Sequence, residues 1–150
     1  MSQPLSYEDK DMVFLITSRT IASRLWFINN KILESMILSY LAKYVFMYGA
    51  VIYGFILMGN HYHLLIKFPN MNRAKFMRSF NAMVAKLVAE YVPNFDQGKL
   101  WARRYSFQAV PRPEDVLHWF QYLTLNPVSS GICKDPANYA SYNSYEDSIN

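Results

Sequence analysis

Apolar residues recur along this chain with two periods, and the switches between them lay out its elements. Met12 to Thr17 (MVFLIT) is a short apolar run rich in β-formers after a polar lead-in, which predicts a buried strand. Residues 19–28 read as a loop. Ile32, Leu33, Met36, Ile37, Tyr40, Leu41 and Tyr44 then fall three and four apart. They predict an amphipathic helix that starts near an Asn29-Asn30 cap and ends near Gly49. Val51 to Met58 and Tyr62 to Phe68 are two β-rich runs around Gly59-Asn60, the pattern of adjacent antiparallel strands joined by a tight reversal, and Pro69 closes the second. Phe76, Phe80, Met83, Val84, Leu87, Val88 and Tyr91 return to helical spacing, with Arg73, Lys75, Arg78 and Lys86 largely off that stripe and Pro93 as the boundary. Trp101, Tyr105, Phe107 and Val110 predict a fourth strand within Lys99 to Val110. Pro113 opens a third helix that runs to Asn126, where Pro127 disfavours continuation.

The order β-α-β-β-α-β-α fits an α+β chain of ferredoxin-like type. In that arrangement a four-stranded antiparallel sheet carries two helices on one face, and a further helix follows at the C-terminal end. No repeat, low-complexity tract or Gly/Ser linker interrupts it, so residues 1–150 read as one domain, with 128–150 a polar, tyrosine-rich and loosely structured tail.

Composition excludes several classes. With 52% hydrophobic and 17% charged residues over 150 positions, the chain is too apolar to stay disordered. Its longest apolar stretch, Tyr44 to Met58, is broken by Gly49 and Gly54 and is shorter than the roughly 20 residues a membrane helix needs. No membrane association is expected. The polar N-terminus shows no secretory signal, and the single cysteine, Cys133, can form neither an internal disulfide nor a cysteine-based zinc site. Both point to the cytoplasm. The net charge of +4 is unevenly spread: residues 67–104 hold eight basic and two acidic groups, while residues 105–150 hold two and five. Lys67, Arg73, Lys75, Arg78, Lys86, Lys99, Arg103 and Arg104 form a basic block that is either a phosphate-binding surface or a solvated helix face.

Two local patterns carry chemistry. In Met58-Gly59-Asn60-His61-Tyr62-His63-Leu64-Leu65, alternate strand residues share a face, so His61 and His63 can offer two imidazoles to one divalent ion while Tyr62 points away. Two half-buried histidines with no ligand role fit the same spacing. In the third helix Val116, Trp119, Phe120 and Leu123 make the apolar stripe, which leaves Asp115, His118, Tyr122 and Asn126 along another face. Tyr122 then stands on the polar side of a short helix, as a reactive or a plain surface tyrosine.

Together these patterns resemble a known family. LMGNHYHLLIKFP resembles the His-hydrophobic-His motif of the single-tyrosine HUH endonucleases, and Tyr122-Leu-Thr-Leu-Asn126-Pro127-Val128 resembles the Tyr-x-x-x-Asn-Pro-Val helix of the REP-associated tyrosine transposases. The likeness spans about residues 12–131, including ITSRT at 16–20, LWF at 25–27 and WARR at 101–104. Tyr62 stands where relatives more often carry an aliphatic residue, and the C-terminal tail is shorter than in some relatives. The resemblance implies an HUH nuclease whose His61 and His63 bind Mg2+ or Mn2+, with Asn126 as third ligand and Tyr122 as nucleophile. Cleavage of single-stranded or hairpin (palindromic) DNA would then pass through a 5′-phosphotyrosine. The same reading makes Arg73, Lys75, Arg78, Lys86, Arg103 and Arg104 the DNA-binding cations, and lets Trp101 or Tyr105 either stack on an unpaired base or pack in the core. It places the protein in a prokaryotic cytoplasm, nucleoid-associated, as a monomer or homodimer. It leaves the general base open, with His118 one candidate. A domesticated hairpin-DNA binder with little cleavage activity is the alternative.

Overall fold

The computed structural model describes residues 10–96, 98–129 and 142–144. Its elements in chain order are β1 (Val13–Arg19), a short 3-10 turn (Ile21–Ser23), α1 (Lys31–Tyr48), β2 (Val51–Leu57), β3 (His61–Lys67), α2 (Arg73–Tyr91), β4 (Ser106–Val110), α3 (Pro113–Thr124) and α4 (Asn126–Ser129). The four strands form one sheet in the order β2-β3-β1-β4, with every neighbouring pair antiparallel. This is the expected ferredoxin-like arrangement. Among the described residues no helix is long and apolar enough to cross a membrane.

Local chemistry explains the helix ends. The Asn30 side chain accepts from the Leu33 N–H at 3.0 Å, capping α1, and Gly49 ends that helix at φ 64°, a left-handed conformation that costs glycine little. Pro113 sits in the first turn of α3 with Glu114 and Asp115, where missing N–H groups and negative charge are both favoured.

Each sheet face has its own layer. Phe14, Ile16, Leu64 and Ile66 pack with Leu33, Ile37 and Leu41 of α1 and Phe76, Phe80 and Val84 of α2. On the other face, Val13, Leu15, Ile56, Leu65 and Val110 meet Leu123, with Val116, Trp119 and Phe120 at the margin. The two expected helices therefore share one face, and the third covers the opposite one. A bulge in the β2–β3 register at Ile52/Gly54 brings Gly54 under α3, where an added Cβ would lie 3.1 Å from the Phe120 ring. Bare backbone at Gly54 lets the helix lie close to the sheet.

Three expectations need correction. The fourth strand is confined to Ser106–Val110; Trp101 meets the sheet edge through an isolated bridge to Thr20, and Arg103 and Arg104 lie exposed in the connection. The third helix stops at Thr124, and Asn126 opens the separate turn α4, because Pro127 has no N–H to continue the ladder. The tail is not loose at residues 142–144. Leu57 N donates to Tyr142 O (3.1 Å), Ser144 N to Phe55 O (3.0 Å) and Phe55 N to Ser144 Oγ (2.7 Å), so this segment satisfies the outer edge of β2. The remainder of the expected tail beyond 129 lies outside the described residues.

Candidate active site

The sheet face under α3 is divided along its length. Its Val13, Leu15, Leu65 and Val110 end is apolar and covered by the helix. Continuing by the same alternation, Thr17, Arg19, His61 and His63 make the other end polar. The turn before His61 is tightly held. Met58 N donates to His61 O (2.8 Å), Phe27 N to Gly59 O (3.1 Å) and Thr20 N to Asn60 O (2.9 Å). A Cβ on Gly59 would stand 2.9 Å from Leu25 Cδ2, the tip of an exposed side chain that would have to shift to admit it.

His61 and His63 lie on one face with ring centroids 4.8 Å apart. Each is engaged at Nδ1: that of His61 lies 2.6 Å from Asn60 Oδ1, and that of His63 lies 2.7 Å from Thr17 Oγ1. The Asn60 amide is oriented by its Nδ2 donating to Ser23 O (3.3 Å), so Oδ1 accepts from His61 and the lone pair of that ring sits on Nε2. A donating Nδ1–H on His63 does the same. Burial pushes His61 down to about 3, helped by His63 and the Arg19 cation, and burial with Arg19 pushes His63 down to about 4. Both imidazoles are neutral at pH 7, the state that binds a metal. This arrangement fits a divalent ion held by two Nε2 atoms, with Nδ1 partners fixing the rings. Among the described residues no group of three His, Cys, Asp or Glu gathers.

Tyr122 stands at the boundary between the covered and open halves. Its ring centroid is 6.2 Å from that of His63 and 5.3 Å from that of Trp119, and the residue is 47% exposed. The apolar stripe of α3 orients it: Phe120 and Leu123 go to the sheet, and Tyr122 is left facing the histidine end. Tyr62 is the opposite case. It is fully buried on the α2 side, its hydroxyl donates to Asn81 Oδ1 at 2.6 Å, and burial raises its pKa. Asn126 is half-buried at the start of α4, and His118 is exposed on α3 against Trp119, with ring centroids 5.5 Å apart.

The expected DNA-binding cations separate into three groups. Arg78, Arg103 and Arg104, joined by Lys99, line a cavity of about 500 Å3 with Trp101 and Tyr105 on the α2 side of the sheet. Trp101 is tied down there by Nε1–H donation to Asn81 O (2.9 Å), and edge contact with Tyr62 makes it a packing residue as well. Lys75 and Lys86 are exposed on α2 outside that cavity. Arg73 is a correction: it is completely buried, its guanidinium 4.0 Å from the Phe107 centroid and 5.0 Å from that of Phe14, with Nε donating to Tyr105 Oη at 3.3 Å. No phosphate can reach it. Spacing carried the signal, because Arg73 precedes Phe76, Met77 and Phe80 by three, four and seven residues and so falls on the apolar stripe of α2. Thr17, Arg19 and Asn60 are site residues the spacing argument did not assign, since their place beside the histidines depends on strand register.

Residues 15–124 match the family described as transposase IS200 like. A comparison with curated proteins finds no match. Among solved structures, the chain is similar to a REP-associated tyrosine transposase bound to a REP hairpin, with TM-score 0.75 and 17% identity over 99% of this chain and 86% of that one. It is also similar to a putative transposase from Deinococcus radiodurans R1, with TM-score 0.56 and 17% identity over 81% of this chain and 95% of that one. At that identity the two structures establish the fold, while the family match covers more than two thirds of the sequence. The chain therefore belongs to the IS200-like transposase family.

Proposed function

We propose that this transposase is a metal-dependent endonuclease and strand-transferase that cleaves single-stranded or hairpin DNA through a 5′-phosphotyrosine on Tyr122. The observation that carries the reading is the placement of the Tyr122 ring 6.2 Å from His63, itself paired with His61 at 4.8 Å, on an open polar face. His61 and His63 would hold Mn2+ or Mg2+ through Nε2, and Asn126, four residues after Tyr122 at the start of α4, would supply an amide oxygen. Two imidazoles suit Mn2+ better than Mg2+, which prefers oxygen ligands throughout. The bound ion supplies Lewis-acid polarisation of the scissile phosphate.

The protein groups do the rest. The Tyr122 phenolic oxygen bonds to phosphorus as the P–O3′ bond breaks, the phenolic proton passes to solvent or a nearby base, and the departing 3′ oxygen takes up a proton. One phosphoester replaces another, so a 3′-OH can reverse the step without an outside energy source. Arg78, Lys99, Arg103 and Arg104 contact the phosphates of the hairpin, in keeping with the hairpin-bound relative. The test is incubation with labelled hairpin oligonucleotides and Mn2+. A covalent protein–DNA species that survives denaturation, and that is lost in His61→Ala and His63→Ala, supports the reading. Hairpin binding without any such species leaves a hairpin-binding protein instead.

A further inference from the structure

We infer that Arg19 grips the phosphodiester being cleaved, so that the phosphate bridges Arg19 and the ion on the two histidines. This rests on the metal reading above and extends it to a residue of β1. Arg19 is the last residue of β1, directly opposite His61 in the β1–β3 register. Two positions earlier on the same face, Thr17 touches His63 through Oγ1 at 2.7 Å. The Arg19 backbone is fixed: its carbonyl accepts from Ala102 N at 3.0 Å, and the next residue donates from Thr20 N to Asn60 O at 2.9 Å. The side chain is exposed, and among the described residues no carboxylate pairs with it.

A guanidinium in that place, across the strand pair from His61, repels a dication held on His61 and His63. A cation with no carboxylate partner among the described residues, set beside a cation site, makes chemical sense when an anion lies between them. A phosphodiester meets that requirement, because its single charge is shared by two non-bridging oxygens, one available to the ion and the other to an arginine N–H. The cations that line the α2-side cavity lie on the other face of the sheet and cannot take this part. During attack, charge builds on those oxygens while the Tyr122 O–P bond forms and the P–O3′ bond breaks. Arg19 donates hydrogen bonds to them and keeps its proton throughout.

The decisive measurement is calorimetric Mn2+ binding to DNA-free protein, with and without excess dimethyl phosphate at matched ionic strength, for wild type, Arg19→Gln and Arg19→Lys. In wild type dimethyl phosphate should tighten Mn2+ binding, by on the order of fivefold, the low end of ordinary coupling between sites. Arg19→Gln should bind Mn2+ more tightly than wild type when phosphate is absent, lose the tightening when it is present, and cleave hairpin DNA about a hundredfold more slowly, a loss much larger than the accompanying fall in hairpin affinity. Arg19→Lys keeps the charge without the fork, so it should retain the weak metal binding and recover part of the coupling. Gain of metal affinity with loss of cleavage is a combination that misfolding cannot produce. Equal Mn2+ affinity and equal phosphate response in wild type and Arg19→Gln overturn the inference and leave the metal reading standing. Absence of His61- and His63-dependent Mn2+ binding in wild type overturns both.

Discussion

The side-chain amide of Asn143 donates a 2.7 Å hydrogen bond to the backbone carbonyl of Thr124, the last residue of α3. That carbonyl is one of the helix-end acceptors the helix itself cannot satisfy. Asn143 is completely buried, and its neighbours Tyr142 and Ser144 are bonded to the edge of β2. The segment therefore ties the end of α3 to the sheet two residues from Tyr122. Asn143→Ala is expected to cost about 1–3 kcal/mol in urea unfolding, the usual penalty for stranding a buried acceptor. It should also slow adduct formation more than it weakens hairpin binding. Wild-type stability and rate in that variant would show the tie to be unimportant.

Arg73 and the cavity cations should behave in opposite ways. Arg73 stacks on Phe14 and Phe107 with no solvent contact, so Arg73→Glu buries an unmatched carboxylate there and is expected to cost about 3–5 kcal/mol or prevent folding. Charge removal at Arg78, Arg103 and Arg104, all exposed, should leave the melting temperature near wild type. For every phosphate that these arginines no longer neutralise, the slope of log affinity against log salt should fall by about 0.7–0.9. A salt slope unchanged in the triple variant would make that cavity a solvated basic surface.

These cases show what a single sequence discloses. Asn30 and Gly49 bound α1 by local chemistry, and both are legible from a few neighbouring residues. His61 and His63 are legible for the same reason, because a period of two is enough to put them on one face. The Thr17 contact to His63 joins residues 46 positions apart, and only the β1–β3 register reveals it. The docking of residues 142–144 is equally non-local: their polar sequence reads as a tail, and it is the unpaired edge of β2 that recruits them. Arg73 shows a different limit. Its charge suggests a surface, while its spacing to Phe76 and Phe80 places it in the core, and the spacing wins.

Acid should destabilise the metal-free protein through the histidines. In the folded state His61 and His63 stay neutral down to about 3 and about 4, whereas in the unfolded chain they take up protons near 6.5. Between those values the unfolded state binds more protons, so stability rises with pH and is progressively lost as pH falls below about 6.5. Thermal melts of wild type across that window should show the fall, and His61→Gln with His63→Gln should flatten it. An equal slope in both proteins would place the acid sensitivity elsewhere.

The last prediction concerns the nucleophile, for which twelve tyrosines compete. Tyr62 is the one closest in sequence to the histidines, but its ring lies on the opposite face and its hydroxyl is enclosed by Asn81 and Ser18. Tyr122 comes from a different element, yet its ring meets His63 at 6.2 Å and its hydroxyl-bearing side chain is open to DNA. Tyr122→Phe removes one oxygen and keeps the ring against Trp119, so melting temperature and hairpin affinity should stay near wild type while the covalent adduct vanishes. Tyr62→Phe should do the reverse, losing the 2.6 Å bond to Asn81 at a cost of about 1–3 kcal/mol while still forming the adduct. Asn126→Ala should fall between them, slow but partly restored by excess Mn2+ if its amide oxygen is a ligand. Peptide mapping of the wild-type adduct should place the DNA on the segment that carries Tyr122, and an adduct persisting in Tyr122→Phe would remove this tyrosine from the chemistry.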